Sequence, residues 1–225
     1  MKWIMIFSIL ILGCSSNQQK SLLEEAQFDL NNQNYPAAIA ILNQLPITDQ
    51  TKTMLAAAYA GEAGFNFLKL SDTISKNQNS PSYVLILLKD TYRTENISNI
   101  ATAINTLPNE TNQPIRLELA LYEVYLVGQI LAKSMINSNN QIWTACSASS
   151  FIESDLIELI NSLNTAFISV KDINGIVPSY VTQLYQELGM DQIVNSDLSS
   201  DAINTFKSNL ELSLSQYLDI PSSCN

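Results

Sequence analysis

The chain has 225 residues, of which 46% are hydrophobic and 14% are charged, and its formal net charge is −10. This length and hydrophobic content suffice for a domain with a buried core and exclude a disordered chain. The excess of acids, with no basic stripe against it, excludes nucleic acid as a partner. Histidine is absent, which excludes Ser-His-Asp and Cys-His catalysis and HExxH zinc sites. With no GxSxG, SxxK, P-loop or GxGxxG motif and no evident carboxylate pair, we expect no enzyme activity, no metal and no dissociable cofactor.

The first thirteen residues have the features of an export signal. Lys2 provides a positive start, and the segment WIMIFSILIL that follows is apolar apart from Ser8. Ten helical residues span about 15 Å, which is half of the hydrocarbon core of a membrane. The segment is therefore predicted to be a signal peptide and not a membrane span.

The signal ends in Ile11-Leu12-Gly13-Cys14, and this ending resembles the lipobox of bacterial lipoproteins. The resemblance implies cleavage between Gly13 and Cys14, a diacylglycerol on the Cys14 thiol, and a further acyl chain, such as palmitate, on the new amino terminus. Two or three chains anchor a protein stably, since each buried methylene contributes about 0.8 kcal/mol. This covalent lipid on Cys14 is the only attached group that we expect.

The lipobox resemblance also predicts where the protein resides. Ser15 follows the lipidated cysteine, and in enterobacteria-like systems serine at this place directs lipoproteins to the outer membrane. Residues 14–20 are polar after the cysteine and predict a flexible tether of at most about 20 Å. We therefore expect a lipid-anchored protein of the cell envelope, on the periplasmic side of the outer membrane.

Residues 21–225 are predicted to form a single all-helical domain, in which 21–135 are repeat-like and 136–225 add C-terminal helices. Capping boxes at Ser21–Glu24 and Ser150–Glu153 predict two helix starts. Beyond the second, and again near the end of the chain, apolar residues recur with the spacing of one buried helix face. Gly189 predicts a helix end. No alternating segments bounded by hairpin turns occur, so the fold class is all-α.

An internal repeat lies in the first part of this domain. Residues 34–46 align with residues 96–108, an offset of 62, and each is followed by a short loop and an apolar helix that contains tyrosine. The matched positions are Asn34/Asn96, Leu42/Ile104, Asn43/Asn105, Leu45/Leu107 and Pro46/Pro108. Repeats that cannot bury their own faces stack on their neighbours.

The first unit resembles a tetratricopeptide repeat. The positions of large, small, aromatic, small and large packing residues in that family are occupied by Leu22, Ala26, Tyr35, Ala38 and Leu42. The resemblance covers residues 21–64 well and 96–135 loosely. It implies an array of antiparallel helices, either an α-solenoid or, as the alternative, an irregular helical bundle.

Two cysteines remain once Cys14 is lipidated. An even number in an oxidising compartment predicts a disulfide between Cys146 and Cys224. Such a bond would stabilise the fold by up to about 4.5 kcal/mol in the chain-entropy model. The alternative is two free, buried thiols.

The leading functional hypothesis is a protein-binding scaffold or adaptor that holds a partner of the cell envelope in a helical-repeat groove. A ligand-capturing accessory lipoprotein of a transport system is the alternative, and it requires an enclosed pocket lined by aromatic residues. A carboxylate-based cell-wall hydrolase is a third hypothesis, and it requires two acids that face each other in a cleft.

Overall fold

The computed structural model describes residues 2–69, 92–109, 112–135, 151–174, 179–193 and 198–217. Over these residues the chain is helical and contains no strand, which confirms the all-α prediction. The helices in chain order are α1 Lys2–Asn31, α2 Tyr35–Leu42, α3 Asp49–Glu62, α4 Thr94–Thr106, α5 Gln113–Met135, α6 Glu153–Asn174, α7 Ser179–Glu187, α8 Met190–Ile193 and α9 Ser200–Tyr217.

From α1 to α6, each described helix packs on the next described helix. The α5–α6 interface is the most extensive of these, and α1 also contacts α3. At the C-terminal end α7, α8 and α9 follow one another, and α9 returns to pack on α6. Neighbours in sequence are therefore neighbours in space over most of the described chain.

Helix α1 is continuous from Lys2 to Asn31, and this differs from two expectations. Residues 15–20, expected as a flexible tether, are helical, and Ser21 lies inside the helix instead of starting it. The physical reason is that no glycine or proline occurs between Cys14 and Asn34, so nothing in this segment breaks a helix. Among the described helices, none combines the length and apolar character of a membrane-spanning segment.

Helix α3 is buried on two opposite faces, and the residues that it buries in its second half are alanines. Ala58 belongs to a small core with α1 and α2, whose other fully buried members are Ala26 and Ala38. Ala56 and Ala60 face the other way, into the larger core that α4, α5, α6 and the C-terminal helices share. A methyl side chain lets neighbouring helices approach closely, so α3 joins the two cores.

The closest of these approaches is at Gly61, near the end of α3. The ring of Tyr35, the first residue of α2, lies directly against the Gly61 backbone, and a Cβ at position 61 would overlap that ring. Glycine is therefore favoured here because the Tyr35 ring occupies the place of a Cβ atom, and not because of an unusual backbone angle. Tyr35 fixes how α2 and the end of α3 are placed.

The C-terminal helices follow the predicted patterns. Helix α7 ends at Glu187, and Gly189 has φ +72°, the left-handed conformation that favours glycine after a helix end. On α9 the residues Ile203, Phe206 and Leu210 are buried on one face, as predicted. Helix α6 begins at Glu153, three residues after the Ser150 of the predicted capping box, which lies outside the described residues.

The contact between Tyr35 and Gly61 can be tested by a double-mutant cycle. We expect Gly61→Ala to lower the free energy of unfolding by about 1 kcal/mol, since overpacking outweighs the better helix propensity of alanine. In a Tyr35→Ala background the same change should raise it by about 1 kcal/mol, because the ring is gone and only helix propensity acts. Urea unfolding of the four proteins measures both values. Equal effects in the two backgrounds would contradict the contact.

Candidate functional site

A groove of about 330 Å³ lies between the two turns of the internal repeat. One wall comes from the end of α2, the turn after it and the first half of α3, and the other comes from the end of α4 and the turn that follows. The lining residues are Leu42, Asn43, Leu45, Ile47, Thr51, Lys52, Leu55, Asn105, Thr106, Leu107 and Asn109. Two of the five repeat-matched pairs, Asn43/Asn105 and Leu45/Leu107, thus face the groove from opposite walls.

The first turn is held in place by hydrogen bonds at the start of α3. The Thr48 hydroxyl accepts from the N–H of Thr51 at 3.2 Å, and the Thr51 hydroxyl accepts from the N–H of Thr48 at 2.8 Å. These reciprocal bonds satisfy two amides that a helix start leaves free. Thr51 is 7% exposed, and its hydroxyl also lies 2.9 Å from the Pro46 carbonyl oxygen, to which it donates. The turn therefore presents its side chains from a fixed backbone.

The second turn is built in a similar way. Leu107 is 6% exposed and anchors the end of α4 in the larger core, as Leu45 anchors the end of α2 in the smaller one. The next helix, α5, is capped by Asn112, whose side-chain oxygen accepts from the N–H of Ile115 at 3.0 Å. Each repeat unit thus consists of a helix, a buried leucine followed by proline, and a capped second helix.

The groove combines an apolar floor with a rim of amides. Leu42 and Leu45 are buried beneath it, and Ile47 stands at the rim with 84% of its surface exposed. The side chains of Asn43, Asn105 and Asn109 are exposed, and within the described residues they form no hydrogen bond. Each of these amides has both donor and acceptor capacity, and so the rim can pair with the backbone of an extended segment.

Lys52 is the one charged side chain among the residues that line the groove. It is half-buried and forms no ion pair with any described residue. The nearest acid in sequence, Asp49, lies on the same helix at an exposed position and does not line the groove. The groove is therefore locally cationic in a chain whose net charge is −10.

A second cluster of polar groups is enclosed between α5 and α6. Glu123 is 6% exposed, and burial raises its pKa, with a further increase from the charge of Glu158 and an opposing hydrogen bond from Ser162. Burial also raises the pKa of Glu158, with a smaller increase from Asp155 and a decrease from Lys133. The Lys133 ammonium donates to both oxygens of Asp155, at 2.8 and 2.9 Å.

This cluster contains acids that face each other, as a carboxylate-based hydrolase requires. Glu123 and Glu158, however, do not line any of the described pockets, and Glu123 is enclosed in the most extensive helix interface of the chain. In the observed geometry, Glu123 and Glu158 belong to a helix interface, and the stability of that interface depends on their protonation.

The ligand-capture alternative requires a pocket lined by aromatic residues, but several of the described aromatic residues pack against one another in the fold. Phe65 makes edge-to-face contacts with Tyr122 and Tyr125, at centroid distances of 5.3 and 5.4 Å. The Tyr125 hydroxyl donates to the Ala63 carbonyl oxygen at 2.9 Å, and Tyr185 stacks on Phe167 at 4.0 Å. Trp143 and the side chain of Tyr180 lie outside the described part of the structure.

The residues that resemble tetratricopeptide packing positions lie together. Ala26 and Ala38 are fully buried, Leu42 is 2% exposed, and Leu22 packs half-buried against the same small core. Tyr35 contacts Gly61 as described above. Sequence reasoning identified these positions but did not identify the groove, although the repeat-matched Leu-Pro turns were the available signal.

The other predicted sites fall at or beyond the limits of the described structure. Gly13 and Cys14 belong to the backbone of α1, with side chains outside the described part. Cys146 and Cys224 lie outside the described residues, so their disulfide stays a prediction. Within the described residues, no group of three or more His, Cys, Asp or Glu side chains is placed to hold a metal ion.

Comparison of the chain with protein families, with curated proteins and with solved structures found no match. The functional argument therefore depends on the sequence and on the geometry of the groove.

The buried acids predict that stability depends on pH. Glu118, Glu123 and Glu158 have pKa values raised above 4.5, so the folded chain binds more protons than the unfolded chain as pH rises through this range. By linkage the free energy of unfolding falls as pH increases from about 4.5 through the raised values. We expect urea unfolding to give a larger free energy at pH 5 than at pH 7.

Glu123→Gln should reduce this difference and raise stability at pH 7, because the amide fills the same space without a charge to desolvate. Glu25→Gln, at an exposed position of α1, is the matched control and should leave the pH dependence unchanged. A stability that rises between pH 5 and pH 7 in the parent chain would show that the buried acids do not dominate.

Proposed function

We propose that this chain is a lipid-anchored scaffold or adaptor of the bacterial cell envelope that binds an extended segment of a partner protein in the groove between its repeat turns. The observation on which the proposal depends is the construction of that groove. Two repeat-matched turns supply a floor of leucine side chains and a rim of amides that form no hydrogen bond within the described residues. Hydrogen bonds to a backbone together with apolar pockets for side chains are how proteins recognise extended peptides.

The proposed architecture is a tetratricopeptide-like array of antiparallel helices. Sequential packing from α1 to α6 supports it, as does the position of α3, which is buried between two cores. The fully buried Ala26 and Ala38 and the contact between Tyr35 and Gly61 agree with close packing of the first unit. In such an array each helix pair depends on its neighbours, and the surfaces between units are available for binding.

The proposed location follows from the signal and from the lipobox-like sequence that ends at Cys14. After cleavage, acyl chains on this residue would hold the remaining part of α1, residues 14–31, at the membrane surface by its new amino-terminal end. A groove held there meets membrane-associated partners at a higher effective concentration than a groove free in solution.

Capture of a small ligand is the second candidate, and one pocket favours it. A space of about 200 Å³ lies between the first turns of α6 and α9. Its apolar floor is flanked by one acid, Glu153, and one base, Lys207. A small zwitterion fits this chemistry, and binding of such a ligand would raise the melting temperature of the protein with the logarithm of ligand concentration above the dissociation constant.

Intact mass spectrometry of protein purified from membranes tests the anchor and the disulfide together. We expect a chain that starts at Cys14 with the added mass of acyl groups, and two cysteines that alkylate only after reduction. Cys14→Ser should abolish the lipid mass and release the protein from the membrane fraction, because the covalent attachment site is lost. A chain that retains residues 1–13 would contradict the lipoprotein assignment.

Site-specific photo-crosslinking in cells tests the groove. A photoreactive phenylalanine analogue at position 47, at the rim, should give a discrete covalent adduct with a partner protein. The same analogue at position 28, which is 67% exposed on α1, is the matched control and should not give that adduct. Asn105→Trp, which fills the opposite wall, should remove the adduct from position 47. Identical adducts from both positions, or none from position 47, would contradict the proposal.

A further inference from the structure

We infer that the bound segment presents one aliphatic side chain to the floor of the groove and one carboxylate, from Asp, Glu or a chain terminus, to Lys52. This inference rests on the proposed peptide-binding function and specifies the chemistry of the partner.

The floor selects an aliphatic side chain. Leu45 and Leu107 approach from the two turns, Leu55 approaches from α3, and no aromatic residue among those described lines the groove. The apolar side chains there are branched aliphatic groups that enclose a small space, so an aliphatic group of the ligand gains contacts from both walls. Ile47, exposed at the rim, would be covered by the same side chain, and its burial adds to the affinity.

The charge selects a carboxylate. Among the described residues, Lys52 is the one charged side chain that lines the groove, and it is paired with no described residue. No acid among the described residues lines the groove to compete for it. A carboxylate of the ligand placed at the half-buried Lys52 forms a charge-assisted hydrogen bond, which is about twice as strong as a neutral one.

The net charge limits the number of carboxylates to one or very few. The whole chain has a net charge of −10, so a run of acids on the partner would be repelled by the protein at long range. Away from Lys52 the polar groups of the lining are neutral amides and threonine hydroxyls, which fit a peptide backbone and not a further charge. A single carboxylate beside an aliphatic residue therefore satisfies both the local and the overall electrostatics.

Selection from a random peptide library tests this chemistry with no partner known. Phage that display random 12-residue peptides are selected on the mature chain purified from membranes, and in parallel on Lys52→Glu and Lys69→Glu. Lys69 is exposed, lies beyond the other end of α3 and does not line the groove, which makes it the matched control. Circular dichroism and thermal unfolding confirm that each variant is folded.

We expect the parent chain and Lys69→Glu to enrich peptides with an aliphatic residue close to one Asp or Glu. For a synthetic peptide from this set, replacing the carboxylate by its amide should weaken binding at least tenfold in the parent chain, measured by fluorescence anisotropy. The same replacement should not weaken binding to Lys52→Glu and should strengthen it, since this variant carries a negative charge at position 52 that repels the carboxylate.

Two other outcomes overturn the inference and differ in what they imply for the proposed function. Enriched peptides that Asn105→Trp excludes but that show no preference for a carboxylate would refute the role of Lys52 and leave peptide binding in the groove intact. If no peptide is enriched in a way that Asn105→Trp abolishes, the groove is not a peptide site, and the proposed function fails together with the inference.

Discussion

The burial of α3 on both of its faces is the constraint on which the rest of the structure depends. A helix with large side chains would hold its neighbours too far apart to share one core on each side. The alanines of α3 permit close approach from α1 and α2 on one face and from α4 on the other. Because α3 also supplies Thr51, Lys52 and Leu55 to the groove, the same helix that joins the two cores positions the candidate site.

The polar interior between α5 and α6 has a different role. The acids in this interface have a single lysine and a serine hydroxyl nearby. Burial removes the hydration of a carboxylate, and this cost must be offset by protonation, by an ion pair or by hydrogen bonds. Lys133 compensates Asp155 directly, and Ser162 compensates Glu123 in part. Glu158 has the weaker compensation, since the charge of Asp155 opposes the effect of Lys133 there. The interface thus combines one direct ion pair with two acids whose pKa values are raised by burial.

The helices were predictable from sequence where apolar residues recur at regular helical spacing and a residue such as glycine marks the helix end. The buried face of α9 and the end of α7 before Gly189 follow from periodicity and from glycine conformation, both of which are local properties. The start of α1 was not predictable in this way. Ser21 and Glu24 fit a capping box, but the residues before them also favour a helix, and a capping motif does not act inside a helix that is already formed.

The groove illustrates a second limit. Asn43 and Asn105, or Leu45 and Leu107, are recognisable as matched residues from the repeat, but their positions on facing walls depend on how α3 packs against α4. That packing is a tertiary property. The aromatic residues show the opposite case. Tyr122 and Tyr125 are buried inside the fold, and the Tyr125 hydroxyl finds its hydrogen-bond partner there.

The helical continuity of residues 15–20 has a mechanical consequence. A flexible chain limits the distance between the two parts that it connects but not their relative orientation. A helix also sets the orientation, because it turns by about 100° and rises about 1.5 Å with every residue. If the lipid is attached at Cys14, the number of residues between Cys14 and Leu22 fixes the rotational phase between the attachment point and the packed body. A single inserted residue would lengthen this connection by only about 1.5 Å and turn the groove by about 100° relative to the attachment point.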